Sequence, residues 1–275
     1  MFLLDKSKYA LLNEVFPYIR EKVVIQGVLH GHNRGKVFVD HLKQPQAAII
    51  WAINEMFYFV GRPTKEFIDT AEDFINHTIK PEAIEIGEDC FNLEVYPFEE
   101  WEPFIDKIFI ETDIQRGKRV PFTFHTHTFL EYKPPFTEQL KGYKFMIIND
   151  EVMAIDQSSM LKNEVLKFWP SLEEFYQNGT GIAVFHNTEL IGSCISVYVY
   201  DHHEEIGINT YDERHRGNGI ATEMAFQFIQ TCLGKNHIPH WTTEWFREDS
   251  IHIAVKLGFE KHDMYTVFYF PFTQL

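Results

Sequence analysis

Arg214, Arg216, Gly217, Asn218, Gly219, Ile220 and Ala221 combine charge, backbone freedom and the start of an apolar pattern. From Ile220 the spacing of Ala221, Met224, Ala225, Phe228, Ile229, Cys232 and Leu233 predicts a helix with a continuous apolar face. Such a helix packs on a sheet and leaves its first N–H groups unpaired. Glycines at 217 and 219 admit positive φ and let a ligand approach the backbone. Together these features suit a phosphate or pyrophosphate, held by N–H donors and the helix dipole. Arg214 and Arg216 would add charge. The plainer alternative is a glycine turn that merely starts a helix. A dinucleotide fingerprint fits poorly, because Thr222 stands where a third glycine belongs. A phosphate loop is excluded, because no Gly-Lys-Ser/Thr follows.

A second motif runs from Ser250 to Phe259. Its pattern predicts a short amphipathic helix, capped near Asp249 and ended by Gly258. Arg216-x-x-Gly219-x-Ala221 and the Lys256-Leu257-Gly258-Phe259 ending together resemble the GNAT acetyltransferase superfamily. The whole-chain layout resembles a Bacillus-type GNAT family with an extra N-terminal domain. The resemblance implies an α+β fold with a mixed sheet in the C-terminal half. It also implies acetyl-CoA as co-substrate, no metal, and transfer of an acetyl group to a primary amine of a small-molecule or peptide acceptor.

By the same resemblance, the backbone from Gly217 to Ala221 would hold the CoA pyrophosphate. The strand Ile206 to Tyr211, including Ile208, Asn209 and Thr210, would splay from His240 to Phe246, and pantetheine would lie between them. Ser250 matches a position where family members carry a hydroxyl near the cofactor. Two departures stand out. Arg247 replaces a frequent Asn, and either binds phosphate or faces solvent. Ala254 replaces the Tyr that many members use as general acid; Tyr211, Tyr265 and Tyr269 are the substitutes considered. The missing tyrosine favours a rival reading, a catalytically inactive CoA-binding regulatory module. A third reading is a phosphate-binding protein that uses the glycine corner alone.

N-acetylation needs a base for the amine proton and an N–H donor for the oxyanion. Glu244 is the first candidate base, since Trp241, Trp245 and Phe246 surround it in sequence and burial among them would favour the role. Glu205 is the second, sharing a strand face with Gly207 and Asn209. Otherwise Glu244 is a surface or ion-paired glutamate and Glu205 a solvated strand residue. His125 and His127 have strand spacing for two metal ligands, but no third ligand is placed by sequence.

The positioning elements follow from periodicity. In the C-terminal half, strands are predicted at 143–148, 181–185, 190–200, 204–210, 240–246 and 264–270. Helices are predicted at 156–168, 171–177, 221–233 and 250–257. In the N-terminal half, helices are predicted at 8–21, 64–79 (stopped by Pro81) and 98–110. Strands there are 23–28, 36–40, a hairpin of 47–52 and 56–60, and 119–127. Pro134-Pro135 marks a boundary between a 1–130 accessory domain and a 137–275 acetyltransferase domain. The first half faintly resembles a degenerate copy of the second fold without its pyrophosphate loop.

Bulk properties bound the rest. With 275 residues, 45% of them hydrophobic, two cored domains are feasible. The net charge of −15 leaves no basic face for nucleic acid. Three cysteines without a CxxC argue against a disulfide framework or zinc site, and fit a cytoplasmic protein. No apolar run is long enough for a membrane span, and the charged start of the chain does not read as a signal peptide. A homodimer is the assembly to consider.

Overall fold

The computed structural model describes residues 1–134 and 140–272. They form two compact units: Met1–Lys118 together with the residues from Tyr265, and Arg119–Met264.

The first unit opens with β1 (Phe2–Leu3) and a series of short helical turns, Lys6–Leu11, Leu12–Val15 and Pro17–Ile19. The expected single helix over 8–21 is broken at Phe16, where φ −125° and ψ 70° precede Pro17. Next comes α1 (Val23–Leu29). This segment was expected as a strand, because its β-branched residues favour one. Burial decides otherwise: Val23, Ile25, Gln26, Gly27, Val28 and Leu29 are all buried. A fully apolar run has no period to separate helix from strand. Gln26 also donates to the Ile19 carbonyl at 2.9 Å and exchanges amide hydrogen bonds with Asn13.

Strands β2 (Gly35–Val39), β3 (Ala47–Ala52) and β4 (Met56–Gly61) follow as antiparallel neighbours. The expected hairpin is present, with Ala52 opposite Met56 and Asn54 at φ 64°. Helix α2 (Lys65–Phe74) is capped by Thr64, whose hydroxyl accepts from the Phe67 N–H. Pro81 does not stop the helical path. A wide π turn, Ile75–Ile79, leads into α3 (Lys80–Glu85). Here Lys80 N–H bonds back to Ile75, five residues away, and this wide turn ahead of Pro81 is where the path accommodates its missing donor. Strand β5 (Cys90–Tyr96), which the periodicity reading left out, pairs parallel with β4.

Strand β6 (Gln115–Phe124) carries the chain into the second unit. There follow α4 (Thr126–Glu131), β7 (Tyr143–Ile147), α5 (Asp150–Ile155), α6 (Met160–Phe168), α7 (Leu172–Asn178), β8 (Gly181–His186), β9 (Glu189–Tyr200) and β10 (His203–Thr210). The unit ends with α8 (Ile220–Gly234), β11 (Ile238–His240), β12 (Thr242–Glu244), α9 (Glu248–Lys256) and β13 (Phe259–Lys261). The order β11-β10-β9-β8-β7 makes one mixed sheet, antiparallel except for the parallel pair β10/β11. Strands β12 and β13 instead pair with β6, through Thr242↔Pro121 and Phe259↔Phe124.

Finally β14 (Tyr265–Pro271) pairs antiparallel with β5 of the first unit. The compact units therefore do not follow the linear division at 130/137. Residues 119–130 pack with the second unit and the last strand with the first. Pro135, within the expected boundary, lies outside the described residues.

Each unit has its own core. Phe57, Phe59, Phe67, Phe91, Trp101 and Phe270 sit in the first, where the Phe57 and Phe91 rings stack at 4.4 Å. Ile220, Met224, Ala225, Phe228, Ile229 and Cys232 of α8 join Trp241, Ala254 and Phe259 in the second. The predicted apolar face of α8 is thus buried. Both units are mixed α+β structures. Among the described residues, no helix is long and apolar enough to cross a membrane.

Candidate functional site

The second unit contains a fork. Strands β10 and β11 pair through His203↔Ile238, Glu204↔Pro239 and Glu205↔His240. The ladder then ends. At Trp241 the chain leaves this sheet, and Thr242–Glu244 pairs with β6. The expected strand over 240–246 is therefore two short strands in two sheets. Past the fork, Ile206–Thr210 keeps its antiparallel ladder to β9, after a bulge between Glu205 and Ile206. A bulge re-aims the backbone and leaves a residue out of register. Ile208, Asn209 and Thr210 thus lie on a strand edge that has parted from its parallel neighbour.

At the fork, the His203 and His240 rings meet at 2.7 Å. Burial, and then the neighbouring His203, bring the His240 ring down to about 4, so it is neutral at pH 7. The His203 ring is lowered too, mainly by burial.

The glycine corner closes the open end. Gly217 (φ 77°) and Gly219 (φ 83°) are left-handed, and a Cβ at either would meet open space. Conformation, rather than crowding, makes glycine the fitting residue there. Gly219 is the N-cap of α8 and has no side chain with which to cap it. The N–H groups of Ile220, Ala221 and Thr222 have no carbonyl a turn earlier within the helix. Ile220 is buried against the core while Ala221 is half-buried. Asn218 donates to the His215 carbonyl at 3.3 Å. His215 is joined to the Tyr143 phenol, which ties the corner to β7.

The two arginines are exposed and already paired. Arg214 is held by Asp212, with Nε 2.8 Å from Oδ2. That guanidinium keeps the Asp212 carboxyl at about 2. Arg216 lies 3.4 Å from Glu213 and 3.4 Å from the Thr210 carbonyl. Surface pairs of this kind are weak and exchange readily.

The remaining predicted residues separate. Ser250, on α9, accepts a hydrogen bond from the Trp241 indole at 3.0 Å, so it fixes the ring at which the chain leaves the sheet. Arg247 occupies the N-cap position of α9 without a side-chain capping bond, and lies 3.6 Å from Glu244. The expected aromatic burial of Glu244 is absent. Its side chain is 40% exposed, and Trp245 and Phe246 are 55% and 64% exposed. The cause is that β12 ends at Glu244, so the two aromatics sit in a turn. Glu205 is 8% exposed and stands on the last rung of the fork.

Ala254 is fully buried in the core. Tyr211 bonds Ser193 at 2.6 Å, and burial pushes its phenol well up. Tyr265 and Tyr269 belong to β14 in the other unit, where Tyr265 donates to Glu94 at 2.7 Å. His125 follows β6 as the N-cap residue of α4, which contains His127, so the strand spacing does not hold; His125 meets Glu260 at 2.7 Å. Among the described residues, no group of three His, Cys, Asp or Glu could hold a metal ion.

Sequence reasoning missed Glu164 and Gly192. Glu164 lies on α6, only 8% exposed, with Oε1 accepting from Asn209 at 2.9 Å and Oε2 from Lys167 at 2.7 Å. The signal was legible: Glu164 falls on the stripe of Leu161, Val165 and Phe168. Gly192 faces Thr210 across β9/β10, and a Cβ there would lie 2.4 Å from the Asn209 carbonyl oxygen.

Comparison with known proteins bears on the family and the fold. The model of the GNAT acetyltransferase family matches residues 13–268. An uncharacterized N-acetyltransferase of Bacillus subtilis (strain 168), YdfB, is 24% identical over 269 residues, covering 97% of each chain. A GCN5-related N-acetyltransferase-like protein from Streptococcus suis superposes with a TM-score of 0.69 at 18% identity, over 95% of this chain and 98% of its own. A tandem GNAT protein from the clavulanic acid biosynthesis pathway superposes with a TM-score of 0.57 at 12% identity, over 100% of this chain and 98% of its own. The two structures show likeness of fold, and the family match over most of the sequence goes further: the chain belongs to the GNAT acetyltransferase family.

Proposed function

We propose that this protein transfers an acetyl group from acetyl-CoA to a primary amine, using the fork of the second unit. The observation that carries this reading is the parting of β10 from β11 beside an uncapped glycine corner. In this reading, the N–H groups of residues 217–222 hold the donor's diphosphate. The edge of Ile206–Thr210 receives the pantetheine arm as an added strand. The amine nitrogen attacks the thioester carbonyl, the C–S bond breaks, and an amide and a CoA thiol result.

Glu205 is the better-placed base. It is buried at the last rung, next to the bulge, whereas Glu244 is more open and lies near Arg247. The backbone at the bulge is the natural source of an oxyanion donor. Tyr211 is a poor acid, because burial strengthens its hold on its proton. The amine proton, once taken up by Glu205, is the remaining source for the departing sulfur.

Calorimetric titration with CoA, acetyl-CoA and ATP tests the site, and thiol release over a panel of amines tests the reaction. Binding of both CoA species with thiol release supports the proposal. Binding without release for any amine supports the inactive CoA-binding module, which the buried Ala254 favours. ATP binding without CoA binding would discard both. Glu205→Gln is expected to lower kcat by about a hundredfold or more, the usual worth of a general base; Glu244→Gln is expected to stay within about threefold. The reverse ranking would reassign the base.

A further inference from the structure

We propose that Glu164 is a positioning residue for the donor-binding edge, holding the parted end of β10 in place through Asn209. The inference rests on the fork being the acetyl-CoA site.

A strand laddered on one side only is freer to fray than one paired on both. To accept a pantetheine arm as a neighbouring strand, its N–H and C=O groups must keep their pitch and direction. Past the fork, β10 has lost β11 as a partner. Its Asn209 is nonetheless held twice. On the β9 side, Gly192 lets the two backbones pack closely, since a Cβ there would lie 2.4 Å from the Asn209 carbonyl oxygen. From the sheet face, the Asn209 amide donates to Glu164 at 2.9 Å.

Glu164 is a firm anchor for three reasons. Its side chain is only 10% exposed, on the buried stripe that also carries Leu161, Val165 and Phe168, so its bonds are less screened than surface ones. Its second oxygen takes Lys167 at 2.7 Å, which balances the charge. And α6 is itself pinned to the sheet just beyond, where the Trp169 indole donates to the Ser196 carbonyl at 2.8 Å. The bond from Glu164 to Asn209 thus stands in for a missing rung. It acts on the backbone that meets the donor, with no contact to the reacting atoms required.

The test compares wild type, Glu164→Gln, Glu164→Leu, Asn209→Leu and the Glu164→Leu/Asn209→Leu double variant. CoA affinity is measured by calorimetry, kcat at saturating acetyl-CoA, and amide hydrogen exchange of Ile206–Thr210 without ligand. Each single Leu variant should weaken CoA by about tenfold, the worth of one charge-assisted hydrogen bond. The double variant should be no weaker than either single one, because both remove the same bond. Glu164→Gln keeps an accepting oxygen and should stay within about threefold of wild type. Exchange at 206–210 should speed up in the Leu variants, and kcat of Glu164→Leu at saturating acetyl-CoA should hold within about twofold.

Unchanged CoA affinity in both Leu variants, with wild type binding normally, would overturn the positioning role alone. So would losses that multiply in the double variant, or Glu164→Gln behaving like Glu164→Leu. A wild type that fails to bind CoA would instead overturn the site assignment beneath it. If Glu164→Leu does not fold, amide exchange of Ile206–Thr210 in Asn209→Leu without ligand decides, because that side chain is exposed, its loss leaves the core intact, and no CoA contact enters the measurement; unchanged exchange would overturn the role.

Discussion

Among the described residues, each unit contains a parallel strand pair joined through helical structure, and the two pairs are built for opposite ends. In the first unit, β4 and β5 stay paired from Phe57↔Leu93 to Val60↔Tyr96. The helix that follows β4 starts at Thr64, whose own hydroxyl caps it. Phe57, Phe59 and Phe91 fill the face of that pair. In the second unit, β10 and β11 part after three rungs, and the helix that follows β10 starts at a glycine with no cap. A helix start capped by its own hydroxyl has fewer donors to spare for a ligand. A helix start left open beside a parted strand has several. The same strand–helix–strand plan thus serves as a filled core in one place and as a candidate donor cleft in the other.

Closing the open corner should give the largest effect. Gly219→Val forces a β-branched residue to φ 83° and puts bulk over the first amides of α8. CoA affinity should fall by about thirtyfold or more by calorimetry, given about 1–3 kcal/mol of backbone strain before any steric block. Retained affinity would remove the corner from the site and erase the contrast between the units. Next in size is Gly192→Ala. Its Cβ would lie 2.4 Å from a backbone oxygen, so β9 or β10 must move. A loss of about 1–3 kcal/mol in urea unfolding is expected, and an unchanged midpoint would show that the edge is slack.

The contrast between the units was only half legible in the sequence. The open corner was visible, because Gly217, Gly219 and the apolar face of α8 follow local rules of backbone and period. The fork was visible only by resemblance: nothing in His240 to Phe246 signals that the strand breaks at Trp241 and changes sheets. Pairing partners across more than a hundred residues leave no local trace, which is also why the pairing of β14 with β5 was not foreseen. Val23–Leu29 was misread for a different reason, since burial on all sides removes the period that distinguishes helix from strand. Glu244 was overvalued because neighbouring aromatics in sequence were taken as neighbours in a core, and Trp245 and Phe246 are exposed.

Acid should push the two units in opposite directions. In the first, Glu88 takes the Trp51 indole at 3.0 Å and the Asn54 N–H at the hairpin turn. Burial raises its carboxyl to about 7. A folded value above the unfolded one means the folded state binds protons more tightly. That stability is fully present below about 4.5 and is lost as pH rises through about 7. In the second, His240 is lowered to about 4 by burial, so its contribution is present above about 6.5 and is lost as pH falls toward 4. Between pH 7 and pH 5, the first group should add about 2 kcal/mol and the second remove about 2 kcal/mol. Urea midpoints of Glu88→Gln and His240→Gln at both pH values check this. The Glu88 variant should lose more stability on acidification than wild type, and the His240 variant less. Equal shifts in both variants would mean that neither group titrates as its burial requires.

The smallest effect tests whether the self-satisfied helix is merely inert. Thr64→Ala removes the hydroxyl that accepts from Phe67 at 3.2 Å. The expected cost is about 1 kcal/mol of stability, the ordinary worth of an N-cap. It exposes a donor at a helix start in the first unit, as Gly219 does in the second. It supplies neither a parted strand nor a left-handed glycine at the cap itself, because β4 remains laddered to β5 and Pro63 precedes the cap. The CoA binding stoichiometry should therefore stay unchanged in Thr64→Ala. A second CoA equivalent in that variant would mean that uncapped amides suffice for binding. The fork would then be a bystander, and the distinction between the two units would reduce to a single hydroxyl group.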